Sequence, residues 1–157
     1  MVKIVNNPKV SKIEGVKIVS LAQISDERGS VLHMIRKEEG SLCGFGEVYF
    51  SEVLPLKIKA WKRHKKMTQN FAVPFGQIKL AFYDDRDHSK SKGKIETLVL
   101  GRPDNYYLVQ IPHLLWYGFQ GVSSTPSILA NCADMIHDPK ESENQDYTNS
   151  EFPFLWE

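Results

Sequence analysis

The chain has 157 residues, 41% hydrophobic and 25% charged, which suits one soluble domain with a real core and leaves too little for a second full domain. Twenty Lys and Arg against 19 Asp and Glu give a net charge of +1, which disfavours a dedicated binder of nucleic acid or of an anionic membrane. The opening MVKIVNNPKV lacks the apolar core of a signal peptide and no apolar run approaches the roughly 20 residues of a membrane span, so a cytoplasmic protein is expected.

Along the chain, short β-rich runs occupy 16–24, 30–36, 46–53, 57–64, 70–75, 77–84, 95–100, 106–111 and 127–133. Turn residues such as Glu27-Arg28-Gly29 and Arg102-Pro103-Asp104 punctuate them, and helical periodicity is hard to find. This pattern predicts an all-β fold, an antiparallel sandwich or closed barrel. Cys43 and Cys132 lie far apart and outside any CxxC pair, so both read as buried thiols and neither disulfide nor thiolate zinc is indicated.

Successive strand residues face opposite sides, so Ile58, Ala60, Lys62 and His64 form one set and Lys59, Trp61 and Arg63 the other, unless a bulge shifts the phase. In 77–84 one face carries Ile78, Leu80, Phe82 and Asp84, so an imidazole and a carboxylate can enter one interior. Lys57 to Lys66 holds five Lys, one Arg and His64. It either grips phosphates or forms a solvated strand face or a guarded edge. From Asp134 to Glu157 the composition turns acidic, with seven acids and one Lys, and FPFLW near the end predicts an irregular segment whose aromatics pack back on the barrel.

Several motifs occur in order: Asp26-Glu27-Arg28-Gly29-Ser30, His64 on a strand, Gly76 followed by Tyr83-Asp84-Asp85-Arg86, Ile111-Pro112, and Tyr117-Gly118-Phe119. Together, from about residue 16 to Trp156, the chain resembles the dTDP-4-dehydrorhamnose 3,5-epimerase family. That resemblance implies a cupin, a double-stranded β-helix jelly roll that works as a homodimer without metal or other cofactor. It implies that Arg28 contacts the substrate diphosphate, that His64 is the base, and that Asp84 and Arg86 match the family's DxR after the glycine turn. Three departures stand out. Asn131 falls where the family has its catalytic Tyr, and an amide is a poor proton donor. The family's second dyad member, an Asp in the tail, falls near Asp146, our candidate beside Asp84. Tyr117 replaces the His of the family's HGF motif and either supplies the missing acid or simply packs.

The expected chemistry is proton abstraction beside the C4 ketone of a nucleotide-diphosphate 4-keto-6-deoxysugar, inverting C3, C5 or both, for surface polysaccharide precursors. Lys62, Lys79, Asn131 and Tyr117 are the candidate donors to the C4 oxygen. Arg28, Lys62, Lys79 and Tyr49 are the candidate substrate contacts. Metal is disfavoured independently, because the imidazoles of a metal-binding cupin are absent and His33, His88, His113 and His137 are scattered. The alternatives are a 3,4-ketoisomerase, a nucleotide-sugar-binding paralogue without catalysis and, distantly, single-stranded nucleic-acid binding on Trp61, Tyr49 and the lysines.

Overall fold

Alternation decides which strand faces meet, and two antiparallel sheets close on those faces. The computed structural model describes residues 9–36 and 44–157, so Cys43 lies outside the described residues. The strands are β1 (Lys17–Ser20), β2 (Gln23–Asp26), β3 (Gly29–Leu32), β4 (Glu47–Val53), β5 (Ile58–His64) and β6 (Gln69–Phe75). They continue with β7 (Gln77–Tyr83), β8 (Ile95–Gly101), β9 (Tyr107–Ile111), β10 (Trp116–Gly121), β11 (Ser127–Ala133) and β12 (Ser142–Asn144), the last preceded by a 3₁₀ turn at Pro139–Glu141.

One sheet has the order β1-β9-β6-β11-β4 and the other β12-β5-β10-β7-β8, while β2 and β3 form a separate hairpin. The run 16–24 therefore divides, its first half joining β9 and its second half entering the hairpin. Ile78, Leu80 and Phe82 of β7 are fully buried and meet Phe71, Val109 and Leu129 of the facing sheet, as alternation requires. Gly76 turns β6 into β7 at φ +70°, and a Cβ there would collide with Ser127.

Two strands are not among the predicted runs. β10 is buried throughout and interrupted by Gly118 and Gly121, so it shows no alternation. β12 is only Ser-Glu-Asn, extended because it pairs with β5, with Ser142 opposite His64 and Asn144 opposite Lys62. That pairing makes β5 an inner strand, so its lysines do not guard an edge. The outer face of this sheet carries a second core of Trp61, Ala81, Trp116 and Phe152, on which Phe154 and Trp156 pack. Among the described residues no helix is long and apolar enough to cross a membrane.

Candidate functional site

β5 builds the site. Its pairing with β10 sets Lys62 opposite Tyr117 and Lys59 opposite Phe119, with one residue more on β5 than on β10. The bulge resets the phase. Tyr117 and Phe119 share a face, so Lys59 shares it with Lys62 and His64 instead of pointing away with Trp61. Arg63 on the other face is taken up by Asp85 and Glu143 and lies over the Trp116 ring, so it is not free for phosphate.

Between the sheets lies a cavity of about 350 Å³. Tyr49, Ser51, Phe71 and Leu129 line it from the first sheet, and Lys59, Ala60, Trp61, Lys62, Tyr117 and Phe119 from the second, with Asn144 and Gln145 at its rim. Lys59 Nζ reaches Ser51 Oγ at 3.0 Å and bridges the two walls. Lys62 Nζ is the other ammonium on this wall. His64 is buried behind Tyr117 and Lys62 and stands next to the cavity instead of on its surface.

The carboxylate beside His64 is Glu141, whose Oε2 lies 2.5 Å from Nδ1. Neither Asp146 nor Asp84 holds that place. β12 runs antiparallel to β5, so the residue just before Ser142 comes to His64, whereas Asp146, beyond the Gln145–Trp61 pairing, is carried roughly 13 Å down the strand. There Asp146 is exposed and accepts from Thr148. Asp84 does enter the interior, as alternation predicts, but Arg86, Ser89 and Ser91 bond it. Those bonds outweigh its burial and hold its carboxyl far below the usual range.

Burial would raise the Glu141 carboxyl, but the backbone N–H groups of Lys66 and Met67, at 2.6 and 2.8 Å, and the His64 imidazole outweigh it and lower it. The sequence carries one signal for this residue. Asp138-Pro139-Lys140-Glu141 reads as a helix start, with Asp138 capping Lys140 N at 2.9 Å and Pro in the first turn. Burial lowers the pKa of His64, with Lys62 and His137 acting in the same sense, and Glu141 only partly restores it. The imidazole is therefore neutral at neutral pH, the form a base requires.

On its other side, His64 Nε2 lies 3.3 Å from the Tyr117 hydroxyl, which accepts from Gln69 Nε2 at 2.7 Å. Gln69 Oε1 accepts from Asn131 Nδ2 at 2.8 Å, and Asn131 Nδ2 also donates to the Tyr49 hydroxyl at 2.9 Å. A continuous chain thus runs Glu141, His64, Tyr117, Gln69, Asn131, Tyr49, of which Tyr117 and Tyr49 line the cavity. Gln69 has no forewarning in the sequence beyond being a polar residue at the start of an apolar strand. Burial pushes the Tyr117 phenol well above its ordinary pKa.

Two expected contacts lie elsewhere. Lys79 is not on the cavity wall; the C-terminal segment covers it, with Glu157 at 4.0 Å and the Trp156 ring at 5.9 Å. Arg28 sits at the tip of the β2–β3 hairpin, 82% exposed and paired with Asp26, away from this chain's own cavity. Among the described residues no three His, Cys, Asp or Glu side chains converge as a metal site. Cys132 is buried and unbridged.

No protein-family model matches the chain. Among solved structures, a dTDP sugar isomerase from Desulfovibrio desulfuricans G20 is 48% identical, with a TM-score of 0.89 over 92% of each chain. The spore coat polysaccharide biosynthesis protein SpsL of Bacillus subtilis is 31% identical over 133 residues, 85% of this chain and 87% of that one. The fold is also that of the dTDP-4-dehydrorhamnose 3,5-epimerase from Elizabethkingia anophelis, at 16% identity and a TM-score of 0.79 over 96% of this chain and 86% of that one.

Proposed function

We propose that this chain, which belongs to the dTDP-4-dehydrorhamnose 3,5-epimerase family, acts on a nucleotide-diphosphate 4-keto-6-deoxysugar and inverts C3, C5 or both. It is an isomerase-class sugar epimerase. The observation that carries the substrate reading is the buried His64–Glu141 pair beside a cavity of sugar size. The product is taken to feed surface polysaccharide synthesis, in keeping with the name of the Bacillus subtilis relative.

The C3 and C5 protons of such a sugar are acidic because the electron pair left behind delocalises onto the C4 oxygen as an enolate. Glu141 holds the proton on His64 Nδ1 and leaves the lone pair on Nε2, and its charge stabilises the imidazolium that forms. The 3.3 Å contact from Tyr117 is the weakest link of the chain and yields to the substrate. Lys62 on the wall meets the C4 oxygen as charge grows, an interaction worth roughly 3–4 kcal/mol for one good donor.

The diphosphate is assigned to Arg28 of a second copy, in a homodimer. Two features support this. Arg28 stands free of its own cavity, and the edge strand β4 presents exposed Val48 and Phe50 with Phe45 beside them. A 3,4-ketoisomerase is the second reading, favoured by the amide at Asn131. It would move the carbonyl from C4 to C3 and leave a product distinguishable by NMR. The deciding experiment incubates dTDP-4-keto-6-deoxyglucose in deuterated water. Wild type should wash deuterium into C3 or C5, and His64→Asn should abolish it. A wild type that exchanges neither proton would leave only the binding paralogue.

A further inference from the structure

We propose that Tyr49 is the acid that returns the proton to the sugar face opposite His64, with Asn131 as its positioning residue; this rests on the epimerase reading above. Asn131 Oδ1 accepts from the backbone N–H of Asn70 at 3.1 Å, and a backbone N–H can only donate, so the orientation of the Asn131 amide is fixed. Both hydrogens on its Nδ2 are then spent, one on the Tyr49 oxygen and one on Gln69 Oε1. Gln69 must present Nε2 to the Tyr117 oxygen. Because Glu141 keeps the His64 proton on Nδ1, Nε2 is an acceptor, and Tyr117 donates its own proton there.

At the cavity end of this chain the Tyr49 O–H is left uncommitted. The Tyr49 oxygen receives a hydrogen bond, but among the described residues its O–H meets no acceptor, and the phenol lines the cavity. It rises from β4 of one sheet, whereas His64 rises from β5 of the other and stands next to the cavity beside Tyr117, so the two groups come from opposite sheets. Asn131 occupies the place where the resemblance leads one to expect a Tyr, and Tyr49 is its direct cross-strand partner. A phenol therefore stands one strand, about 4.8 Å, from that place. The Asn131 amide holds it by donating to the phenol oxygen, which leaves the phenol O–H available.

The step balances without an outside reagent. His64 Nε2 takes the proton from carbon, and the C–H pair moves to the C4 oxygen. The pair returns to carbon as the Tyr49 O–H bond breaks and its proton adds from the other side. Water then reprotonates the phenolate and takes the proton from the imidazolium.

The test uses the full chain and dTDP-4-keto-6-deoxyglucose in deuterated water, following deuterium entry and inversion in the same sample. Tyr49→Phe should still exchange the proton reached by His64 while inversion falls by about 10²-fold or more. Asn131→Ala should change the exchange-to-inversion ratio in the same direction, since it frees Tyr49 to turn. That ratio is internal to each sample, so partial unfolding does not alter it. Inversion at the wild-type rate in Tyr49→Phe would overturn the proposal, and so would a parallel loss of exchange and inversion. Absence of exchange in wild type would overturn the epimerase reading itself, a different result from either.

Discussion

Trp61 and Phe152 stack face to face, with ring centroids 4.8 Å apart and planes within 6°. Phe152 also meets Trp116 and Tyr83 edge-on at 5.2 and 5.6 Å. This contact anchors the C-terminal segment to the back of the strand whose other face carries His64. The same segment supplies Glu141 and the cavity rim, so packing on one face of β5 holds the chemistry on the other. Phe152→Ala should cost about 3 kcal/mol or more of unfolding free energy, read from urea titrations. A loss under about 1 kcal/mol would mean that the tail contributes little to the fold.

Arg28→Ala should weaken binding of dTDP while leaving the thermal melt unchanged. Its guanidinium is exposed and its pairing with Asp26 is a surface ion pair of little worth to stability. Removing a bidentate partner for a diphosphate should cost affinity about tenfold or more in calorimetry. Unchanged affinity would move the diphosphate to Lys62 or its neighbours on β5.

The dimer is tested by light scattering at micromolar protein, which should give about twice 18.0 kDa. Phe50→Glu, on the outward face of the edge strand β4, should shift the mass toward one chain. If the mass stays at two chains in that variant, β4 is not the interface. If wild type runs at one chain, Arg28 cannot reach a neighbour's cavity.

How far the sequence reaches is clear from particular strands. QIKLAFYD alternates cleanly, and Ile78, Leu80, Phe82 and Asp84 are all buried. β5 alternates less well because Lys62 breaks the apolar face, and the bulge that explains it is a property of its pairing with β10, not of its own residues. Trp116–Gly121 and Ser142–Asn144 are strands made by their neighbours, so no local pattern marks them. His64 and Tyr117 stand out in the sequence, and the structure brings them within 3.3 Å of each other. Glu141 was not, because the carboxylate that reaches His64 is chosen by the register of β12, and the resemblance directs attention to Asp146 instead.

The pH dependence of the reaction separates a catalytic Glu141 from a merely structural one. In wild type, kcat/KM should fall as pH drops through the pKa of His64, because the base must be unprotonated. That limb should lie below the ordinary imidazole value of 6.5, since burial lowers it. The same shift bears on stability. The folded pKa lies below the unfolded one, so the contribution of neutral His64 is present above about 6.5 and is lost as pH falls through the folded value. Glu141→Gln keeps the shape but removes the charge and weakens the hydrogen bond, the two influences that raise the His64 pKa. The acid limb should therefore move further down in pH, while the rate on the plateau falls by about 10²- to 10⁴-fold for want of a partner to the imidazolium. A carboxylate that only braced Lys66 and Met67 would lower the rate without moving the limb. An unmoved limb in Glu141→Gln would therefore take this residue out of the chemistry and leave His64 to act alone.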